Sequence, residues 1–228
     1  MTFLLLMLAA APVPDAGPAD AGARPEPDAG AVEAALPDGG VRYKFNDPKH
    51  RDTLRFTLDA PQLQINGVTS DLEGELRVVN GKLSGELKVQ PAGIRSGDAS
   101  RDSHLRGEEW LEVKKHPYAT FKLDEVDLPA EVKDGAKLSL KGKGELELRG
   151  VRHEEPVELT VWFFKAPEQT SKTPDPAKAP RHEGDLLHVQ GKCKLKLDHF
   201  RVEARKKMPL EAAESAEVAL DAWGSTKL

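Results

Sequence analysis

The stretch KLSLKGKGELELRG, residues 137–150, alternates strictly. Leu138, Leu140, Leu146 and Leu148 share one parity with Gly142 and Gly144 between them, and Ser139, Lys141, Lys143, Glu145 and Glu147 fill the other. A period of two puts one set of side chains on each face of an extended chain, so such a run is a strand with one dry and one wet face. Parallel sheets, covered on both faces, show continuous apolar runs instead. The same alternation recurs in Leu54-Phe56-Leu58, Leu83-Gly85-Leu87-Val89, Phe121-Leu123, Val157-Leu159-Val161-Phe163, Val189-Gly191-Cys193-Leu195-Leu197 and Val218-Leu220-Ala222. About eight strands follow, and the chain is predicted to be an all-β, antiparallel protein.

Turn chemistry agrees. Asn80-Gly81 between two alternating runs is a strong hairpin signal, and Asp134-Gly135 has the same character. Glycines on the dry parity (Gly74, Gly85, Gly142, Gly144 and Gly191) imply strong bending, as where a sheet curls round to close. A two-sheet sandwich would show the same alternation, and glycine placement is what favours the barrel; eight strands closed in this way enclose either a filled core or a small apolar space. The residues expected to face that space are Leu54, Phe56, Leu58, Phe121 and Leu123, then Leu140, Leu146, Leu148, Leu159, Val161 and Phe163, and finally Val189, Cys193, Leu195, Val218 and Leu220. The inward glycines are expected to leave room among them, enough for a hydrocarbon chain.

The ends of the chain have a different composition. Residues 1–11, MTFLLLMLAAA, combine an apolar run with small residues and read as a signal peptide, which predicts a periplasmic or secreted protein. Residues 12–40, rich in Pro, Ala, Asp and Gly, read as a disordered linker preceding a domain over 41–228. Six acids there (Asp15, Asp20, Glu26, Asp28, Glu33 and Asp38) against Arg24 account for the whole net charge of −5. The domain itself is balanced in sign, which argues against a nucleic-acid partner. Residues 165–185 break the alternation with Pro, Thr and Lys and read as a long hairpin loop. Cys193 is the single cysteine, so no intrachain disulfide forms; on the dry parity it is expected to behave as a small buried hydrophobe.

The stretch RDSHLRGEEWLEVKKHPYATF, Arg101 to Phe121, departs from this pattern. Leu105, Glu109 and Val113 fall at helical spacing and Pro117 stops the run, predicting a short helical insertion over about 101–116. Its charged groups raise the question of catalysis by Asp102 and His104. No nucleophile or metal-ligand spacing accompanies them, and His104 and His116 stand too far apart for a helical ligand pair. The alternative is structural. Arg101 and Asp102 hold the corner, Asp102 as a helix cap, His104 and Leu105 belong to the same support, and Leu105, Trp110 and Leu111 close one barrel end.

Several elements in order resemble the signature of the YceI-like domain family: Ile94-Arg95-Ser96-Gly97, Arg101-Asp102-Ser103-His104-Leu105, Trp110-Leu111-Glu112, His116-Pro117-Tyr118-Ala119-Thr120-Phe121, GELELRGV and LKLDHFRV. The likeness extends over about residues 42–222. It implies an eight-stranded, lipocalin-like antiparallel barrel in the periplasm that binds a long isoprenoid lipid, a polyprenyl chain or an isoprenoid quinone, for storage or transport. It implies no enzyme activity and no cofactor beyond such a ligand. A filled barrel serving as a protein-interaction or stress-accessory module is the alternative, and a homodimer stays open. Pro117-Tyr118 inverts the order usual in the family, Phe200-Arg201 replaces its Phe-Gly, and the Pro-rich loop is additional.

Overall fold

The computed structural model describes residues 39–49, 51–60, 63–166, 184–202 and 214–227. The expected signal peptide, nearly all of the linker and residues 167–183 of the Pro-rich loop lie outside them. Ten strands form one antiparallel sheet: β1 (Val41–Phe45), β2 (Thr53–Ala60), β3 (Leu63–Thr69), β4 (Leu72–Val79), β5 (Lys82–Val89), β6 (Ala119–Asp127), β7 (Lys137–Leu148), β8 (Val151–Phe164), β9 (Leu186–Lys196) and β10 (Ser215–Ser225). Their order is β1-β4-β5-β6-β7-β8-β9-β10-β2-β3, and β1 also pairs with β10. Among the described residues no helix is long and apolar enough to cross a membrane.

Ten strands make eight staves because two staves are broken. β1 and β2 run the same way along β10, one pairing at Lys44↔Ser225 and the other from Ala216↔Leu58 to Asp221↔Thr53. β3 and β4 likewise follow one another beside them, β3 on β2 and β4 on β1. Counted by stave the sheet is a closed eight-stranded barrel, as the alternating runs together with the inward glycines predicted. One joint is short: β6 and β7 pair only from Thr120↔Glu147 to Leu123↔Gly144, whereas β7 and β8 pair from Lys137↔Trp162 to Leu148↔Val151.

The glycines carry the bending, but in a way the pattern only half predicted. Gly74 and Gly85 have φ of 145° and 148°, and a Cβ on either would lie 2.2 Å from a backbone oxygen of the neighbouring strand. Only glycine fits there. At Gly144 a Cβ would meet Lys122 O at 2.3 Å, and at Gly142 it would meet a Val126 methyl at 2.8 Å. These four leave no free space, since a neighbouring strand or side chain already fills it. Gly191 alone is different, with Leu159 and Leu220 at 3.5 and 3.6 Å.

The break between β1 and β2 leaves the Trp223 N–H of β10 without a ladder partner. Asp52 supplies one, its Oδ1 accepting that N–H at 2.9 Å. Asp47 ties the same loop, accepting from Lys49 N, Arg51 N and the Arg51 guanidinium, which holds its carboxyl down to about 2.

The insertion is shorter than spacing suggested. Its helix, α1, spans Ala99–Arg106 and stops at Gly107; residues 107–115 form successive turns, with Glu112 at φ 47°. Spacing alone cannot distinguish this from a longer helix, because Gly107 and the turns still bring Trp110 inward. The cap is also reassigned. Asp98, not Asp102, is the N-cap and accepts from Arg101 N at 2.7 Å. Asp102 lies inside the first turn, where its Oδ1 takes both Ser96 N (2.8 Å) and Ser96 Oγ (2.6 Å). These bonds hold its carboxyl below the usual range. Arg101 contributes its backbone only, its guanidinium making no hydrogen bond or ion pair among the described residues.

Two predictions follow from the caps and the broken stave. Asp98→Ala should destabilise the barrel by about 1 kcal/mol, read from denaturant unfolding. Asp52 is 1 % exposed, and burial, foremost, pushes its carboxyl above the ordinary range. The folded chain therefore holds that proton more tightly than the unfolded chain, and stability falls as pH rises through the raised value. Asp52→Asn keeps an acceptor for Trp223 N–H and removes the charge. Tm should rise at neutral pH, and the gain should disappear on acidification.

Candidate binding cavity

Inward side chains gather into two clusters. One, toward the β1 end, is built on Tyr43, Phe45, Val161, Leu187 and Ala222. The other, toward α1, is built on Leu58, Ile65, Leu105, Trp110 and Phe200. A cavity of about 210 Å³ lies along the barrel interior, bordered by members of both. Aliphatic and aromatic groups dominate its wall, with the Cys193 thiol among them.

Thirteen of the sixteen positions expected at the lumen line this cavity: Leu54, Phe56, Leu58, Phe121, Leu123, Leu146, Leu148, Leu159, Val189, Cys193, Leu195, Val218 and Leu220. Leu140, Val161 and Phe163 share their parity but not their place. Val161 is fully buried in the first cluster, Leu140 packs against it, and Phe163 meets Tyr43 edge-on at 6.0 Å. Parity says which way a side chain points, not how far along the barrel it sits, so these three fill one end instead of lining the space. The cavity also takes in Leu72, Leu76, Leu83, Leu87 and Val157, legible from alternation. Leu197 carried the alternation of β9 but lies in the turn after it, whereas Ile94, Trp110, Phe200 and Val202 come from irregular segments and carried no such signal, although Trp110 was expected at the closed end.

The lid is α1 and the turns after it. Leu105 and Trp110 are buried in the second cluster and Leu111 packs beside them. Asp102 anchors the lid through Ser96, whereas His104 is exposed, so the two are not joined as a catalytic pair. The fastening comes from the opposite side. Arg149, in the β7–β8 turn at φ 54°, donates to the carbonyls of Glu108 and Arg201 and lies 3.7 Å from the Glu112 carboxylate. A planar guanidinium can hold several acceptors at once, so one side chain joins lid, rim and the chain after β9. The signal was the Arg-Gly of GELELRGV, an Arg where a two-residue hairpin favours Asn or Gly.

One polar group sits where apolar parity holds sway. Glu155 of β8 is 4 % exposed, and His153 of β8 and His199 of the 3-10 turn Leu197–Phe200 stand beside it. The donor atoms of the three lie within 4.8 Å of one another. Sequence spacing had not paired these histidines, because His199 arrives from another strand's end.

These features define a closed antiparallel barrel with an apolar interior, an architecture that either fills with side chains or holds one small ligand. The YceI-like domain pattern covers residues 46–222, and the chain belongs to that family. In fold the chain is similar to three solved structures. The Burkholderia cenocepacia protein BcnA is 16 % identical, covering 76 % of this chain and 96 % of its own, with a TM-score of 0.54. A polyisoprenoid binding domain from Saccharophagus degradans, implicated in plant cell wall breakdown, is 16 % identical, covering 81 % and 98 %, with a TM-score of 0.58. The Campylobacter jejuni YCEI protein is 16 % identical, covering 72 % and 86 %, with a TM-score of 0.50. No curated protein matches the sequence.

Burial, then the charge of Glu155, pushes the Cys193 thiol up to about 11. Since the thiolate is the reactive form, alkylation of the native protein near neutral pH should be roughly 100-fold slower than after unfolding. Arg149→Ala should speed native labelling by releasing the lid while leaving the unfolded rate unchanged, measured by mass shift over time.

Proposed function

We propose that the chain binds a long apolar isoprenoid-type lipid, a polyprenyl chain or an isoprenoid quinone, inside the barrel. It acts as an exported carrier or store and not as an enzyme. The observation that carries this is the apolar cavity closed by a latched lid. The family and the polyisoprenoid-binding neighbour support the same reading. The leader-like residues 1–11 support export.

Magnitudes decide how the ligand must sit. A cavity of about 150 Å³ admits benzene, so 210 Å³ holds roughly eight carbon atoms, between one and two isoprene units. Burying eight carbons contributes about 6 kcal/mol at ~0.8 kcal/mol per carbon. Association costs roughly 4–15 kcal/mol in lost freedom, so a ligand confined to that volume binds weakly. A longer chain gains enough only if the lumen lengthens. The lid is the element able to yield, because turns and one short helix hold Leu105, Trp110 and Leu111 in place and Arg149 fastens them from outside. Binding a full chain therefore displaces Trp110.

Gly191 separates folding from binding. A Cβ there meets only ordinary contacts, so Gly191→Ala should fold with Tm unchanged or higher. Gly191→Leu should fill the cavity instead. Organic extraction of each purified protein followed by mass spectrometry should show a prenyl lipid with the natural chain and the alanine variant, and strongly depleted lipid with the leucine variant. No prenyl lipid with the natural chain, or equal amounts with Gly191→Leu, overturns the reading.

A further inference from the structure

The structure assigns a second site to this barrel: His153, Glu155 and His199 form a three-ligand centre for a late first-row divalent metal such as zinc. His153 and Glu155 are two apart on β8, so both point to its inward side. His199 comes from the turn after β9. Glu155 lies opposite Gly144 of β7 in the ladder, so that strand places no side chain directly across from it. Glu155 Oε1 lies 3.0 Å from His153 Nδ1 and 3.2 Å from His199 Nδ1.

Three observations point to a cation. A carboxylate this buried requires compensation, and among the described residues its ion-pair partners are these two histidines, with no Lys or Arg. His153 Nδ1 is itself buried and has no hydrogen-bond partner, because its approach to Oε1 is out of line. It is a buried ring nitrogen beside the carboxylate with no bond to satisfy it. The two rings are stacked, with centroids 3.8 Å apart and planes at 27°, which keeps both nitrogens on the same oxygen.

The spacing suits coordination. Bonds of about 2.0–2.1 Å in a tetrahedron put ligand atoms about 3.4 Å apart, a few tenths beyond the two nitrogen–oxygen separations of 3.0 and 3.2 Å. Small ring rotations supply the difference and turn both lone pairs toward one point. Two imidazoles and one carboxylate favour zinc and its neighbours over calcium or magnesium, which take oxygen ligands. His153 and His199 side chains are 41 % and 30 % exposed, so a fourth position faces water. His153, Glu155 and His199 are not among the cavity-lining groups, though His153 meets the ring of Phe200, which is.

Isothermal titration of the full chain with Zn²⁺ at neutral pH, followed by Co²⁺ absorption, tests the assignment. One saturable equivalent is expected, with a tetrahedral cobalt spectrum. His153→Ala, His199→Asn and Glu155→Gln should each weaken binding roughly tenfold or more, and His104→Ala should leave it unchanged. Circular dichroism without metal verifies that each variant folds. His199 is part-exposed on a turn, so its variant remains informative if Glu155→Gln does not fold. Absence of saturable binding, undiminished binding in His199→Asn and His153→Ala, or a Tm that responds to pH but not to Zn²⁺ overturns the proposal.

Discussion

The closure of the sheet on itself is the constraint from which the rest follows, and it is narrow. β1 reaches β10 at Lys44↔Ser225, β2 takes over from Asp221↔Thr53, and between them the Asp52 carboxylate stands in for a strand. A buried acid is a costly substitute for a backbone carbonyl. It is tolerated because an unpaired Trp223 N–H at the same depth would cost a comparable amount. With the ring closed, every inward side chain competes for one interior, and whatever those side chains fail to fill becomes the lumen.

Much of this was legible in the sequence. Alternation gave away the antiparallel class and the facing of the strand residues, and turn chemistry the Asn80-Gly81 hairpin, because strand and turn geometry are local. Depth along the barrel was not legible. Leu140, Val161 and Phe163 alternate just as Leu146 and Leu159 do, and only the strand offsets that set the barrel's shear decide which end each reaches. The inward glycines were located correctly but their use was mixed: Gly74, Gly85, Gly142 and Gly144 accommodate a neighbouring strand or side chain, and Gly191 alone opens onto the cavity.

The lid and the polar cluster show a second limit. The choice of Asp98 over Asp102 as cap depends on where one residue leaves the extended conformation, and both positions offer the same chemistry to a sequence reader. Arg149 and His199 act across the barrel rim, 41 residues from Glu108 and 44 from Glu155 respectively. Long-range polar pairings of this kind leave no periodic trace. They depend on hairpin ends meeting at one rim, which the closed ring brings about.

The short joint between β6 and β7 gives the barrel the mechanics of a tube slit along part of its length. Around most of the circumference, hoop tension is carried by backbone hydrogen bonds, which scarcely stretch. Beyond Leu123↔Gly144 that hoop is interrupted, and what spans the slit is a stopper of side chains, with a Val126 methyl seated over Gly142 and Leu138 and Leu140 packed against the same core cluster. Dispersion contacts give way gradually where hydrogen bonds break abruptly. The girth of the tube toward the Tyr43 and Phe45 end is thus compliant along one line, and the interior can widen there without parting any rung of its ladder.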